Sequence, residues 1–333
     1  MSEIRQNLVT REWVIIATER AKRPFDFKQE KIQSNHTFLK DCPFCPGNEH
    51  LTPPEILRVN LENNNRWSLR VIPNKSKILT DKEKLIRSFK GINRCVSGIG
   101  IQRILIESSL HNMTIALLPV NHVESIIRLY KEQYNEIKKD QRIEHITIFK
   151  NHGIEAGRKI EHPHSQIIGL PIVPFHIWER MDTAKCYYID NLECVYCRSL
   201  QEELSDGSRI IYETDHFVSF IPYGARSPFH IWLFPKRHST SFGDINNIEI
   251  KDLAICLKIT LAKIYHGLGN PDYNYMIQSC PVDHEKVDFF HWYISIIPRL
   301  TKTAGFELGS GMYINISLPE KSGEFLRKIE VSE

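Results

Sequence analysis

The stretch EHPHSQIIGLP, residues 161–171, sets His162, His164 and Gln166 at alternate positions ahead of an apolar run closed by Pro171. Such a run reads as a strand, and side chains two apart along a strand share a face. Pro163 has no N–H to give to a ladder, which suggests an edge position or a strand start. Three ligand-capable side chains in register point to chemistry. The approach, FKNHGIEAGRKIEHPHSQ, adds Asn151, Gly153, Gly157 and the cations Arg158 and Lys159. Glycines let backbone N–H groups come close to an anion, and the cations neutralise it, so the loop reads as a phosphate site beside a histidine pair.

An imidazole that is neutral, with one nitrogen free and the other held by a hydrogen bond, can attack phosphorus and form a phosphoramidate. Phosphoryl transfer then depends on placement and on donors to charged oxygens, a role that the Gln166 amide fits without adding charge. Acid–base catalysis is the rival role for His164.

The elements that would hold these residues carry a second signal. Eight cysteines include two CxxC pairs, Cys42 with Cys45 and Cys194 with Cys197. In a reducing compartment such pairs bind metal or do redox chemistry. Neither DCPFCPGNE nor LECVYCRSL offers the strand-then-helix start of a thioredoxin-like pair, so zinc is the expectation, with two further ligands each. His111 and His162 follow the first pair 51 residues apart; His238 and His291 follow the second 53 apart. The flanks match too: a strand ends near the first histidine, a helical segment follows, then a strand, then a histidine-led apolar strand ending in proline. This reads as an internal duplication, each half a mixed α/β unit with its own metal clip. His122, His230 and His284 compete as ligands. Two residues beyond His162 stands His164; two beyond His291 stands Tyr293. A histidine kept in one half only is not needed for the fold, so His164 is the candidate for chemistry.

Composition excludes other classes. A net charge of +3 without a basic block argues against nucleic acid. No segment approaches membrane-spanning length, and MSEIRQNLVTREW has no apolar leader run, so a cytoplasmic protein is expected, with no nucleic-acid or membrane partner.

With RAKRP, CPFC and HPHSQ in that order, the chain resembles the galactose-1-phosphate uridylyltransferase family, including its ADP-glucose phosphorylase branch, within the histidine-triad superfamily. REWVIIATERAKRPFDF, FKNHG, CVYC, FHIWLFPKRH and FHWYISIIPRLTKTAGFELGSGMYIN extend the likeness nearly end to end. The resemblance implies an α/β chain of α+β type, built as two fused histidine-triad-like units (1–180 and 181–333) with mixed, largely antiparallel sheets and flanking helices. It implies a homodimer, two zinc ions per chain and a ping-pong reaction. His164 falls on the nucleophile and Gln166 on the glutamine that binds the transferred group. Arg20, Arg23 and Asn151 fall near the phosphates, and Asn74 in the nucleoside segment; Gly157 and Lys159 stay substrate candidates from the loop reading alone. Glu307 and Tyr313 fall in the segment that helps bind the sugar or its phosphate. Cys42, Cys45, His111 and His162 fall on one metal site; Cys194, Cys197, His238 and His291 match the other. The leading expectation is transfer of a nucleoside monophosphate from a nucleotide sugar to a hexose 1-phosphate. The alternatives are phosphorolysis of ADP-glucose or a dinucleoside polyphosphate by inorganic phosphate, and hydrolysis. Lys75, Ser76 and Lys77 stand where the family often has an aromatic, and Lys159 where it commonly has a small residue.

Overall fold

The computed structural model describes residues 2–28, 35–61 and 66–332. Strands β1 (Glu3–Gln6), β2 (Trp13–Ile16), β3 (Leu57–Asn60), β4 (Trp67–Pro73), β5 (Arg87–Lys90), β6 (Asn93–Val96) and β7 (Ile101–Ile106) precede helix α1 (Val120–Lys138). Then come β8 (His145–His152), β9 (His164–Leu170), α2 (Phe175–Asn191) and α3 (Val195–Asp206). The rest is β10 (Ile210–Glu213), β11 (Phe217–Phe220), β12 (Ile231–Pro235), α4 (Asn247–Leu268), β13 (Tyr273–Gln278), β14 (Tyr293–Pro298), α5 (Gly305–Ser310), β15 (Tyr313–Asn315) and α6 (Pro319–Lys328).

One ten-stranded sheet runs β10-β11-β12-β14-β13-β8-β9-β7-β4-β3. Its pairings are antiparallel throughout, and β8 meets β13 at the centre. The halves mirror each other about that seam: β3, β4, β7, α1, β8 and β9 recur in order as β10, β11, β12, α4, β13 and β14. The duplication read from the histidines is therefore a duplication of topology. The expected 180/181 boundary falls inside α2.

One face of the sheet is covered by α1 and α4. In α1 the buried Val123, Ile126, Ile127, Tyr130, Tyr134 and Ile137 recur every three or four residues and form one apolar stripe. Helix α4 begins with a reciprocal cap: Asn246 accepts from the N–H groups of Ile248 and Glu249, and Glu249 accepts from Asn246 N–H. The opposite face differs between the halves. Over the second half, Ile177, Met181 and Ala184 of α2 and Val195, Tyr196 and Leu200 of α3 bury it with Trp232, Phe234 and Tyr293. Phe234 and Tyr293 stack at 4.9 Å. Over the first half it is an open pocket. Among the described residues no helix is long and apolar enough to cross a membrane.

Candidate active site

The open pocket holds about 390 Å³. Its floor is laid by three antiparallel strands in register: Gln166 of β9 lies between Phe149 of β8 and Ile104 of β7. His164, Gln166 and Ile168 face it, whereas the alternating Ser165 and Ile167 are buried on the helix side. β9 starts at His164, just past Pro163, and lies inside the sheet, so proline marks the strand's start and not an edge.

His164 Nδ1 lies 2.8 Å from the His162 carbonyl oxygen. A carbonyl only accepts, so Nδ1 carries the proton and Nε2 keeps its lone pair. Burial pushes the imidazole pKa down, against the raising effect of that hydrogen bond, and favours the neutral ring a nucleophile needs. His162 has the opposite tautomer. Its Nε2–H donates to Ser108 O at 2.7 Å, and Nδ1 turns to the cysteines. Its pKa is pushed down to about 3, chiefly by burial.

The first cysteine pair is a tight knuckle in which Cys45 N–H donates to Cys42 O and Leu39 N–H donates to Cys45 Sγ. His162 Nδ1 lies 3.8 Å from Cys42 Sγ and 3.6 Å from Cys45 Sγ; His111 Nδ1 lies 3.5 Å from Cys45 Sγ. The four donor atoms are buried and all within 4.8 Å of one another, a set that could hold a metal ion. Burial, the larger cause, raises the Cys42 thiol to about 11, a cost a bound cation would reverse. Phe44, between the cysteines, sets its ring 5.3 Å from that of His164, so the knuckle carries one wall of the pocket.

The second set is looser. Cys194, Cys197 and His238 form a group within the same 4.8 Å limit. His291 Nδ1 lies 3.5 Å from Cys197 Sγ but outside that group, unlike the four-ligand expectation. Cys194 is the N-cap of α3, so this pair does open a helix, though after α2 and not after a strand. Hydrogen bonding by Cys197 holds Cys194 down to about 5. His122 and His230 bond elsewhere, to Glu107 O and Ser295 Oγ, and His284 packs its ring against Trp178.

Asn74, Asn151, Gly157 and Lys159 line the pocket with His164 and Gln166. Asn151 Oδ1 accepts from Asn274 of the other half at 2.8 Å. Arg158 also lines it, and among the described residues no carboxylate does. The other four expected substrate residues lie apart within one chain. Arg20 is exposed, Arg23 lines a separate cavity beside Phe25 and Phe325, and Glu307 and Tyr313 line a third with Arg226 and Lys302. The sequence reading missed Phe44 and Gln102 of the lining, while Ser76, already noted in the nucleoside segment, lines it too. Phe44 alone had a signal, its place inside CPFC.

The family profile "Galactose-1-phosphate uridyl transferase, N-terminal domain" matches residues 1–174, and its C-terminal counterpart matches 180–308. An ADP-glucose phosphorylase of Arabidopsis thaliana is 35% identical over 334 residues, 99% of this chain and 93% of that one. A galactose-1-phosphate uridylyltransferase of Thermotoga maritima is 29% identical over 340 residues, 99% of each. The crystal structure of an Arabidopsis thaliana ADP-glucose phosphorylase with bound ADP-glucose superposes with a TM-score of 0.83 at 32% identity and full coverage of both chains. A duplicated antiparallel sheet, one open pocket with a strand-borne histidine, and profile matches along both halves have one common source: the chain belongs to the galactose-1-phosphate uridyl transferase family.

Proposed function

We propose that this protein is a nucleotidyltransferase that works through a covalent His164 adduct, with a nucleotide sugar as donor and inorganic phosphate as acceptor. The observation that carries this reading is the Nδ1–H hydrogen bond to His162 O, which fixes the ring proton on Nδ1 and leaves the Nε2 lone pair for phosphorus. The Nε2 lone pair attacks the α-phosphorus, and the bond to the bridging oxygen breaks, so the sugar 1-phosphate leaves with the electron pair. A phosphate oxygen then attacks the same phosphorus, the P–N bond breaks, and the nucleoside diphosphate leaves. Gln166 donates to a non-bridging oxygen, and Arg158 and Lys159 balance the anions in a pocket that no carboxylate lines among the described residues. The Arabidopsis relative favours phosphate over the hexose 1-phosphate first expected as acceptor, since the two cations would balance either anion. Hexose 1-phosphate is the second reading, favoured by the Thermotoga relative.

The Cys₂His₂ set fits zinc in donor type and compactness. There zinc would be structural, holding Phe44 and His162 and so the pocket wall; Cys194, Cys197 and His238, with His291 adjacent, would hold a second ion. A homodimer accounts for Arg20, Arg23, Glu307 and Tyr313, since a second copy could bring such groups to the pocket. The two units are taken to divide near residue 180.

The test is to incubate the protein with ADP-glucose and with UDP-glucose, each with phosphate, with galactose 1-phosphate or with neither. Donor alone should leave a nucleoside monophosphate on denatured protein, stable to base and lost in acid; phosphate should release it as nucleoside diphosphate. His164→Ala should lose label and turnover while keeping metal. Gln166→Ala should label about 10²-fold more slowly. Label on another residue, or normal turnover by His164→Ala, would refute the reading.

A further inference from the structure

We infer that Glu107 and Lys150 are positioning residues for the nucleophile: a buried ion pair, across the sheet from the pocket, that pins the backbone of residues 162–164 and so fixes where His164 presents Nε2. This rests on the proposed role of His164.

Lys150 alternates with Phe149 and Asn151, which line the pocket, so its side chain points to the opposite face. There its ammonium meets the Glu107 carboxylate. Lys150 is 2% exposed and Glu107 0%. The pair reaches the histidine segment in two ways. Lys150 Nζ donates to His164 O at 3.4 Å, and Glu107 N–H donates to Pro163 O at 3.0 Å. With His164 Nδ1 on His162 O, three consecutive carbonyls are held. Glu107 is itself fixed. Tyr130 OH donates to its carboxylate at 3.2 Å and lies 2.5 Å from Tyr275 OH, while His122 Nε2 donates to its carbonyl at 2.7 Å.

A buried ion pair is a poor way to hold a sheet against a helix, because apolar residues of similar volume do so as well or better. The other half makes that comparison within one chain. Matching β8–β9 to β13–β14 by register sets Ile277 where Lys150 stands. Extending the β12–β14 register by two residues sets Pro235 where Glu107 stands. The half with Tyr293 in place of His164 thus keeps the same ladder without the charges. The pair occurs where the histidine occurs.

Two double variants separate positioning from stability. Glu107→Leu with Lys150→Ile copies the apolar solution of the other half. Glu107→Lys with Lys150→Glu keeps an ion pair but faces the His164 carbonyl with an acceptor. Each is checked for wild-type metal content and melting temperature, then for labelling by ADP-glucose and, with ¹⁵N-labelled histidine, for the tautomer of His164, assigned by the signal lost in His164→Ala. We expect kcat to fall about tenfold to a hundredfold with donor KM within about twofold, as for a displaced nucleophile. The single Nδ1–H tautomer should give way to a mixture. Wild-type rate and an unchanged tautomer in either folded variant would overturn the inference; so would failure of both variants to fold, which would assign the pair to stability. Absence of adduct in the wild-type protein would defeat the proposed transfer alone, and the tautomer comparison would still decide this point.

Discussion

Gly153 and Gly157 bracket the loop that brings Arg158 to the pocket, and they allow a paired experiment. Both have left-handed backbone, with φ of 88° and 85°. An alanine at either position carries a conformational cost of about 1–2 kcal/mol. Their surroundings differ. A Cβ on Gly153 would fall 1.5 Å from Asp272 Oδ1, whereas on Gly157 the nearest atom is Asn151 Nδ2 at 3.9 Å. Asp272 would have to swing away, and its Oδ2 now accepts from Glu155 N–H at 2.7 Å. Overpacking of this kind adds about 1–3 kcal/mol. Gly153→Ala should therefore cost about 2–5 kcal/mol and Gly157→Ala about 1–2, by the same two figures. The assay is urea unfolding beside the donor dependence of single-turnover labelling, because a loop that rearranges will show its loss as weaker donor binding. If the two variants match within about 0.5 kcal/mol in both measurements, the steric argument is wrong.

Cys45→Ser removes the sulfur nearest both metal-site histidines; elemental analysis should find one metal equivalent fewer, with a lower melting temperature, and unchanged metal content would exclude this set as a site. His145 gives a pH dependence away from metal and pocket: burial alone pushes its pKa from 6.5 down to about 4, so below pH 6.5 the unfolded chain binds a proton the native chain refuses. Stability should therefore be full above pH 6.5 and decline as pH falls towards 4, by about 3 kcal/mol from this residue. His145→Phe should flatten that slope in urea titrations at pH 7, 6 and 5, and an unchanged slope would refute the assignment.

Much of the site was legible because it is local. The alternation His164, Gln166 survives as one strand face, and CPFC survives as one knuckle, since a period of two and a four-residue turn are short-range facts. The duplication was legible because matched spacing of metal-candidate histidines records matched strands. What stayed hidden is what sheet register assembles. Glu107 and Lys150, 43 residues apart, meet across β9, one from the end of β7 and one from β8. Gln102 reaches the lining only because β7 pairs with β9. His291 falls outside the compact donor set although its spacing is nearly ideal, because spacing fixes which element carries a residue and not where its ring nitrogen lies. The separation of Glu307 and Tyr313 from His164 is likewise a fact of packing.

The β8–β13 ladder at the centre of the sheet governs whether the protein could be divided. Five residue pairs join there, from Tyr273 with His152 to Ile277 with Ile148. Expressed alone, either half would offer that strand as a bare edge, with alternate residues apolar, which is the template on which chains aggregate. The edge could be satisfied by the other half added in trans, or by a second copy of the same half. Fusion replaces that bimolecular encounter by one at the effective concentration of a tether. It also frees one half from needing a reactive groove of its own, which is how a single polypeptide can fill one cleft with stacked aromatics and keep the other open.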